Sequence, residues 1–354
     1  MRGVCFGMRP RLWPALRPAS RAPESLDPSA RERHGNVGTP TVSILTCFFN
    51  AAPFLTEAVD SVFAQTLEDW ELLLIDDGST DGSTEIAKDF AARWPAKVRY
   101  LEHPAHANRG ISASQNVGLN EAAGTYVAFL DADDVWLPHK LQEQVPMLES
   151  HPGAVMLYGT TNYWYSWTGA PGDVGRDVLI PAGLPPDIVV QPPGFLVRMV
   201  RQEIPVPCPS DVLVRRDRAL AVGGFAEEFR RIFTDQAFYA RLCVNGGVVV
   251  ADRCWFKYRK HPNSAVAAIT AQGRMNEARL AYLEWLMQYV DERGGPRELR
   301  RAVRLARMKI AHPRLWRLAT HRVLPIVAAV ASRTRSLLRW QRGSEPTDMT
   351  GPAT

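Results

Sequence analysis

Several absences in this 354-residue sequence narrow its function. Its five cysteines, Cys5, Cys47, Cys208, Cys243 and Cys254, are odd in number and scattered, with no CxxC pair and no zinc-finger spacing. A reducing compartment suits them better than a disulfide framework. No stretch of about 18 uninterrupted apolar residues occurs, which disfavours an ordinary transmembrane helix. The basic start "MRGVCFGMRPRLWPALRPAS" is broken by proline and arginine and offers no apolar core for a secretory signal. No GxGxxG follows a strand, which disfavours a dinucleotide-dependent dehydrogenase. Nor does a Gly-rich basic loop follow the first strand, as expected of a nucleotidyltransferase. No internal repeat is visible.

What is present is the balance of a globular protein able to bury a large core, 46% hydrophobic and 22% charged. The net charge of +5 is unevenly spread. Residues 41–296 carry 22 Lys/Arg against 31 Asp/Glu, whereas 297–342 carry 13 against 1. The acidic middle and the basic end therefore need separate explanations.

Residues 1–40, rich in Pro, Arg and Ser, read as a flexible leader. "TVSILTCFF" then has the β-branched, apolar make-up of a strand, and "NAAPFLTEAVDSVFAQ" that of a helix with Pro53 in its first turn. "WELLLIDDGS" is a second buried strand ending in acids, followed by a helix in "TDGSTEIAKDFAARW". A third strand, "KVRYLEH", precedes the helix "ISASQNVGLNEAAG", with Gly124 as its expected C-cap. "TYVAFLDADD" is the fourth strand and "LPHKLQEQVPMLES" the next helix. Alternation of this kind predicts an α/β domain with a mostly parallel sheet covered on both faces. Further on, 168–194 is loop-rich, "TDQAFYARLCVNGG" reads as a short helix, and 275–310 is helical by composition.

In such sheets ligands bind beyond the carboxyl ends of the strands. Asp76 and Asp77 end one strand; Asp131, Asp133 and Asp134 end another. Carboxylates this close raise one another's pKa and stay ionised together only against a cation or strong donors. Oxygen ligation suits Mn²⁺ or Mg²⁺, and Mg²⁺ is commonly held by one or two carboxylates plus substrate phosphates. The pattern points to a phosphate-bearing ligand bound through a metal.

"VSILTCFFNAAPFLTEAVDSVFAQTLEDWELLLIDDGSTDGS" and "NRGISASQNVGLNEAAGTYVAFLDADD" resemble the nucleotide-binding half of the family 2 inverting glycosyltransferases, which adopt the GT-A fold. The likeness runs from about residue 42 to 148 and returns at "VGGFAEEFRRIFTDQAFYARL" and "KYRKHPNSA". It implies a Rossmann-like sheet with a helical basic C-terminal extension. The organisation implied is a leader over 1–40, a nucleotide-sugar half over 41–150, an acceptor and catalytic half over 151–270, the extension over 271–342 and a tail over 343–354.

The resemblance assigns Asp76 and Asp77 to the nucleotide base, where a carboxylate accepting an imide N–H favours uracil or thymine. Asn50 lines the same pocket, and Arg109 and Asn116 match the family's loop and helix before the DxD strand. Asp133 is the expected ligand of Mn²⁺ or Mg²⁺, with Asp131 on ribose or the metal. Asp235, at the start of a short helix after "GGF", matches the base that takes the acceptor proton, although Thr234 stands where the family usually has an acid. Arg259 and His261 are expected to meet the leaving diphosphate.

The expected partners are a nucleotide-sugar donor, of the UDP type by the base-contacting acids the resemblance implies, and a hydroxyl acceptor, a glycan or a lipid-linked one. The basic segment 297–342, with Leu315, Trp316, Leu318, Val323 and Leu324 as apolar anchors, is expected on an anionic membrane surface. That places the chain in the cytoplasm, peripheral to the membrane's inner face; nothing carries a known nucleic-acid signature. The rival expectation is a nucleotide-sugar-binding protein without turnover, tethered by its tail.

Overall fold

The computed structural model describes residues 39–318; readings that fall on 1–38 and 319–354, including most of the basic segment, lie outside the described residues. β1 (Val42–Phe48), β2 (Trp70–Asp76), β3 (Val98–Glu102) and β4 (Tyr126–Phe129) run parallel, in the lateral order β3-β2-β1-β4. Alternate residues of these strands feed opposite faces, as the period of two in a strand requires. Ile44, Leu72 and Leu74 join the core with Leu55 and Val59 of α1 (Ala52–Phe63) and Phe90 of α2 (Ser83–Arg93). Leu45, Leu73 and Ile75 join the other core with Leu119 of α3 (Ile111–Glu121). Pro53 lies in the first turn of α1, where its missing N–H costs nothing.

The rest of the chain extends the same sheet. After β4 come β5 (Val135–Trp136), α4 (Lys140–Glu149), β6 (Ala154–Trp164), β7 (Val178–Ile180), β8 (Ile188–Val190) and α5 (Gly194–Arg201). Then follow β9 (Leu213–Arg215), α6 (Arg216–Ala221), α7 (Thr234–Cys243) and β10 (Gly247–Arg259). Helices α8 (Ala265–Ala271), α9 (Met275–Glu292), α10 (Arg297–Ala311) and α11 (Pro313–Leu318) end the described chain. β9 lies antiparallel between β4 and β6, and β6 pairs parallel with β10. The result is the α/β architecture expected, with a mostly parallel first half.

Two local expectations change. Gly124 is not the C-cap of α3, which is Ala122. Glycine is required at 124 for another reason: a Cβ there would lie 2.6 Å from the backbone nitrogen of Ser43, so the chain could not pass so close to β1. The helix expected to run through "VNGG" stops at Cys243, because Gly247 already starts β10.

Candidate active site

β1 separates the two acidic strand ends. Phe48 pairs with Asp76, and continuing the β1–β4 register beyond Leu45↔Phe129 sets Asp131 level with Cys47. Two strand spacings put the acid groups about 10 Å apart, on one edge of the sheet. The Cys47 thiol registers both: burial pushes its pKa well up, and the charges of Asp131 and Asp77 push it further.

The first acid group shapes loops. Asp76 is fully buried; its Oδ1 accepts the Ser79 N–H (2.8 Å) and its Oδ2 the Thr84 hydroxyl (2.6 Å). Asp77 accepts the N–H groups of Arg109 (2.7 Å) and Gly110 (3.0 Å), so it orders the turn that leads into α3. Asn50, in a left-handed conformation at φ 52, accepts the Thr80 N–H (2.7 Å) and ties the end of β1 to the same turn. The side chain of Arg109 is exposed beside this lacework. A cleft of about 380 Å³ opens between Ser79, Thr84, Lys88 and His106.

The second acid group is a tight turn in which the Asp134 N–H donates to the Asp131 carbonyl (3.0 Å). Its three acids have different surroundings. Asp134 is fully buried and accepts from the Ser210 hydroxyl (2.6 Å) and the Arg259 N–H (3.0 Å), so both its oxygens are occupied by the protein. Asp133 Oδ2 lies 2.8 Å from His261 Nε2. Asp131 receives no side-chain hydrogen bond from the described residues, yet its pKa is pushed up to about 8, first by burial and then by Asp133 and Asp235.

Asp235 reaches this cluster through packing. Phe238, one helical turn on, stacks on Phe225 (4.1 Å) and meets Phe129 at the end of β4 (5.8 Å) edge-on. Positions i and i+3 share a helix face, so docking Phe238 turns Asp235 toward Asp131. Burial raises the Asp235 carboxyl to about 6, although the backbone amides of the first turn of α7 pull the other way.

Other expected residues are placed differently. Asn116 accepts the Phe225 N–H (2.8 Å) and donates to its carbonyl (3.1 Å), so it holds the "GGF" turn in front of α7. Arg259 is 3% exposed and sits under the DxD turn. Its Nε donates to the Asp133 carbonyl (2.7 Å), its other end pairs with Glu57, and its plane lies against Phe54, Trp164 and Trp167. Such a guanidinium positions the turn rather than reaching into the cleft. His261, expected at the diphosphate, instead stands on Asp133, its ring 5.0 Å from that of Phe54 and its Nδ1 buried with no partner.

Ser210 was not legible as a site residue. Its hydroxyl accepts the Asp131 N–H (3.0 Å) while donating to Asp134, and no local pattern distinguishes it from any other serine in a loop.

Asp131, Asp133 and His261 offer oxygens and an imidazole of the kind that suit Mn²⁺, but among the described residues the group whose ligand atoms already lie within 4.8 Å of one another is Asp131, Asp134 and Cys208. In that grouping Asp134 is already satisfied. Cys47, Cys208, Cys243 and Cys254 are free thiols; that of Cys208 points at Asp134 Oδ2 (3.7 Å), but burial pushes its pKa well up and keeps it a thiol.

Residues 43–186 match the sequence model of the family described as Glycosyl transferase family 2. The chain is 38% identical over 112 residues to the putative glycosyltransferase EpsE of Bacillus subtilis (strain 168), a match that spans 32% of this chain and 40% of that protein. The chain thus spans less than half the length of this curated relative. Among solved structures, S. aureus TarS 1–349 in complex with UDP-GlcNAc is similar with a TM-score of 0.52 at 17% identity, covering 71% of this chain and 66% of that one. The mannosyltransferase PcManGT of Pyrobaculum calidifontis, in complex with GDP-Man and Mn²⁺, has a TM-score of 0.50 at 15% identity, covering 85% and 81%. At such identities the structural likeness establishes the fold, which is GT-A.

Proposed function

We propose that this chain, whose residues 43–186 match the model of glycosyl transferase family 2, is a member of that family and transfers a sugar from a nucleoside-diphosphate donor to a hydroxyl acceptor, with inversion. The observation that carries this reading is the convergence of Asp235, poised at about pH 6, on the Asp131 carboxyl at the end of β4.

The donor's nucleoside lies over the loops ordered by Asp76, Asp77 and Asn50, with Arg109 free to meet a phosphate. Asp131, Asp133 and His261 would hold Mn²⁺ or Mg²⁺, which would supply positive charge against the departing diphosphate. In the single displacement the acceptor oxygen attacks the anomeric carbon from the face opposite the diphosphate, and the bond from that carbon to the diphosphate oxygen breaks. Asp235 takes the acceptor's proton, for which its raised pKa suits it. Arg259 and Ser210 keep the DxD turn in register while this happens.

Asp76 and Asp77 are buried with their oxygens already occupied, so they give no base preference; we favour a UDP-sugar by the likeness to TarS 1–349 in complex with UDP-GlcNAc, and a cell-envelope glycan or lipid-linked glycan as acceptor. Among the described residues no helix is long and apolar enough to cross a membrane. The exposed Arg297, Arg301 and Arg304 of α10 form a basic stripe suited to an anionic membrane surface on the cytoplasmic side. Binding of a panel of nucleotide sugars with and without Mn²⁺ tests the donor. Acceptor-dependent release of nucleoside diphosphate separates a transferase from a binding protein without turnover, which would bind donor and release nothing.

A further inference from the structure

His106 lies outside the catalytic cluster, yet its ring closes a hydrogen-bonded circuit around the nucleotide side of the sheet. Its Nε2 is 2.8 Å from the Ser79 carbonyl and its Nδ1 is 2.9 Å from Glu102 Oε2. A carbonyl can only accept, and so can an ionised carboxylate. Glu102 is held ionised, its pKa lowered chiefly by the Tyr100 hydroxyl (2.6 Å) and then by His106. Both ring nitrogens must therefore carry protons. The circuit continues from Tyr100 toward Asp76 Oδ2 (3.3 Å) and returns through the Ser79 N–H to Asp76 Oδ1.

The backbone shows that the contact is held rather than incidental. Ala105 and His106 are consecutive non-glycine residues in the left-handed region, at φ 58 and 52, a conformation that persists only where surrounding contacts impose it. Their segment presses on the turn that carries Asp76 and Asp77: a Cβ at Gly78, itself at φ +80, would lie 2.8 Å from the His106 carbonyl oxygen. The groups facing the ring are Glu102 of β3, Asp76 at the end of β2, and Lys88 and Glu85 of α2 across the cleft.

We infer that His106 is a positioning residue for the nucleotide: as an imidazolium it latches the 76–80 turn to β3, and loss of its proton opens the latch. The inference rests on the donor site proposed above. The Ser79 and Glu102 contacts raise the ring's pKa above the ordinary imidazole value, so the latch is present at low pH and is lost as pH rises through that raised value. Tyr100 is pushed further up by burial, then by Glu102 and Asp76, so neither it nor Glu102 titrates in the same window.

Two measurements on the full chain test this. Nitrogen-resolved NMR of the ligand-free protein should show both His106 ring nitrogens protonated at pH 6, and Glu102→Gln should lower the pH at which one proton leaves. Calorimetry with UDP and GDP in the presence of Mn²⁺ should show wild type binding about three- to tenfold more tightly than His106→Gln at pH 6, the effect of one charge-assisted hydrogen bond at a partly exposed site. That ratio should fall toward one as pH rises through the ring's raised pKa. A neutral His106 ring at pH 6, or a ratio that does not change with pH, overturns the latch. If the ring is doubly protonated but neither nucleotide binds to any variant, the donor-site reading fails, and with it the nucleotide part of this inference.

Discussion

His261 Nε2 stands 2.8 Å from Asp133 Oδ2, although 128 residues separate them in sequence. The contact joins the turn after β10 to the turn after β4, so the metal site proposed above would draw on both halves of the chain. His261→Ala should weaken Mn²⁺ binding by at least about tenfold, measured by calorimetric titration, while leaving the fold's far-ultraviolet spectrum unchanged. Asp131 must lose its proton to bind the ion. Because its pKa is raised to about 8, Mn²⁺ affinity should climb as pH rises toward 8, and binding below that pH should release a proton to buffer.

Asp235 is expected to act only in the chemical step. Asp235→Asn should reduce transfer by about 10²- to 10⁴-fold and leave nucleotide affinity within error of wild type. A carboxyl with a pKa of about 6 is ionised above that value and protonated below it, so the wild-type rate should fall as pH drops through about 6. Full transfer by the Asn variant with an authentic donor and acceptor would remove Asp235 from the mechanism.

Ser210 and Gly124 test the packing that positions the site. Ser210→Ala strips a donor from buried Asp134 and an acceptor from the Asp131 N–H, and should cost about 1–3 kcal/mol in denaturant melts. Gly124→Ala forces a methyl onto the Ser43 backbone and should cost a similar amount, about 1–3 kcal/mol. Only the first should also weaken Mn²⁺ binding, since only Ser210 touches the DxD turn.

The basic stripe of α10 makes a separate prediction. If each arginine near an anionic surface contributes about 1 kcal/mol, Arg301→Glu with Arg304→Glu should lower co-sedimentation with phosphatidylserine-containing vesicles by about tenfold or more. Binding to neutral phosphatidylcholine vesicles should be weak for both proteins. Equal sedimentation of the variant with anionic vesicles would exclude this face as the contact.

Much of the first half could be read in advance because its signals are local. Runs such as "VSILTCFF" and "WELLLIDD" announce covered strands that end in acids, and the helices between them leave parallel pairing as the simplest topology. The second half was harder. The two short strands β7 and β8 lie in a stretch that reads as loop, because three residues are too few to show a period and their pairing with β6 and β10 supplies what the local pattern lacks. Asn116, matched by resemblance to the family's helix before the DxD strand, bonds the backbone of Phe225, 109 residues away, a partnership no local pattern announces.

By itself the sequence determined the strand–helix alternation and which acids end which strands, since apolar periodicity and turn chemistry act over a few residues. Only the tertiary structure decided that β1 lies between the two acidic ends, that Arg259 is buried beneath the DxD turn, and that His261 and Ser210 grip that turn. Lateral strand order and side-chain partnership depend on which distant surfaces exclude water together, and no short stretch of chain encodes that.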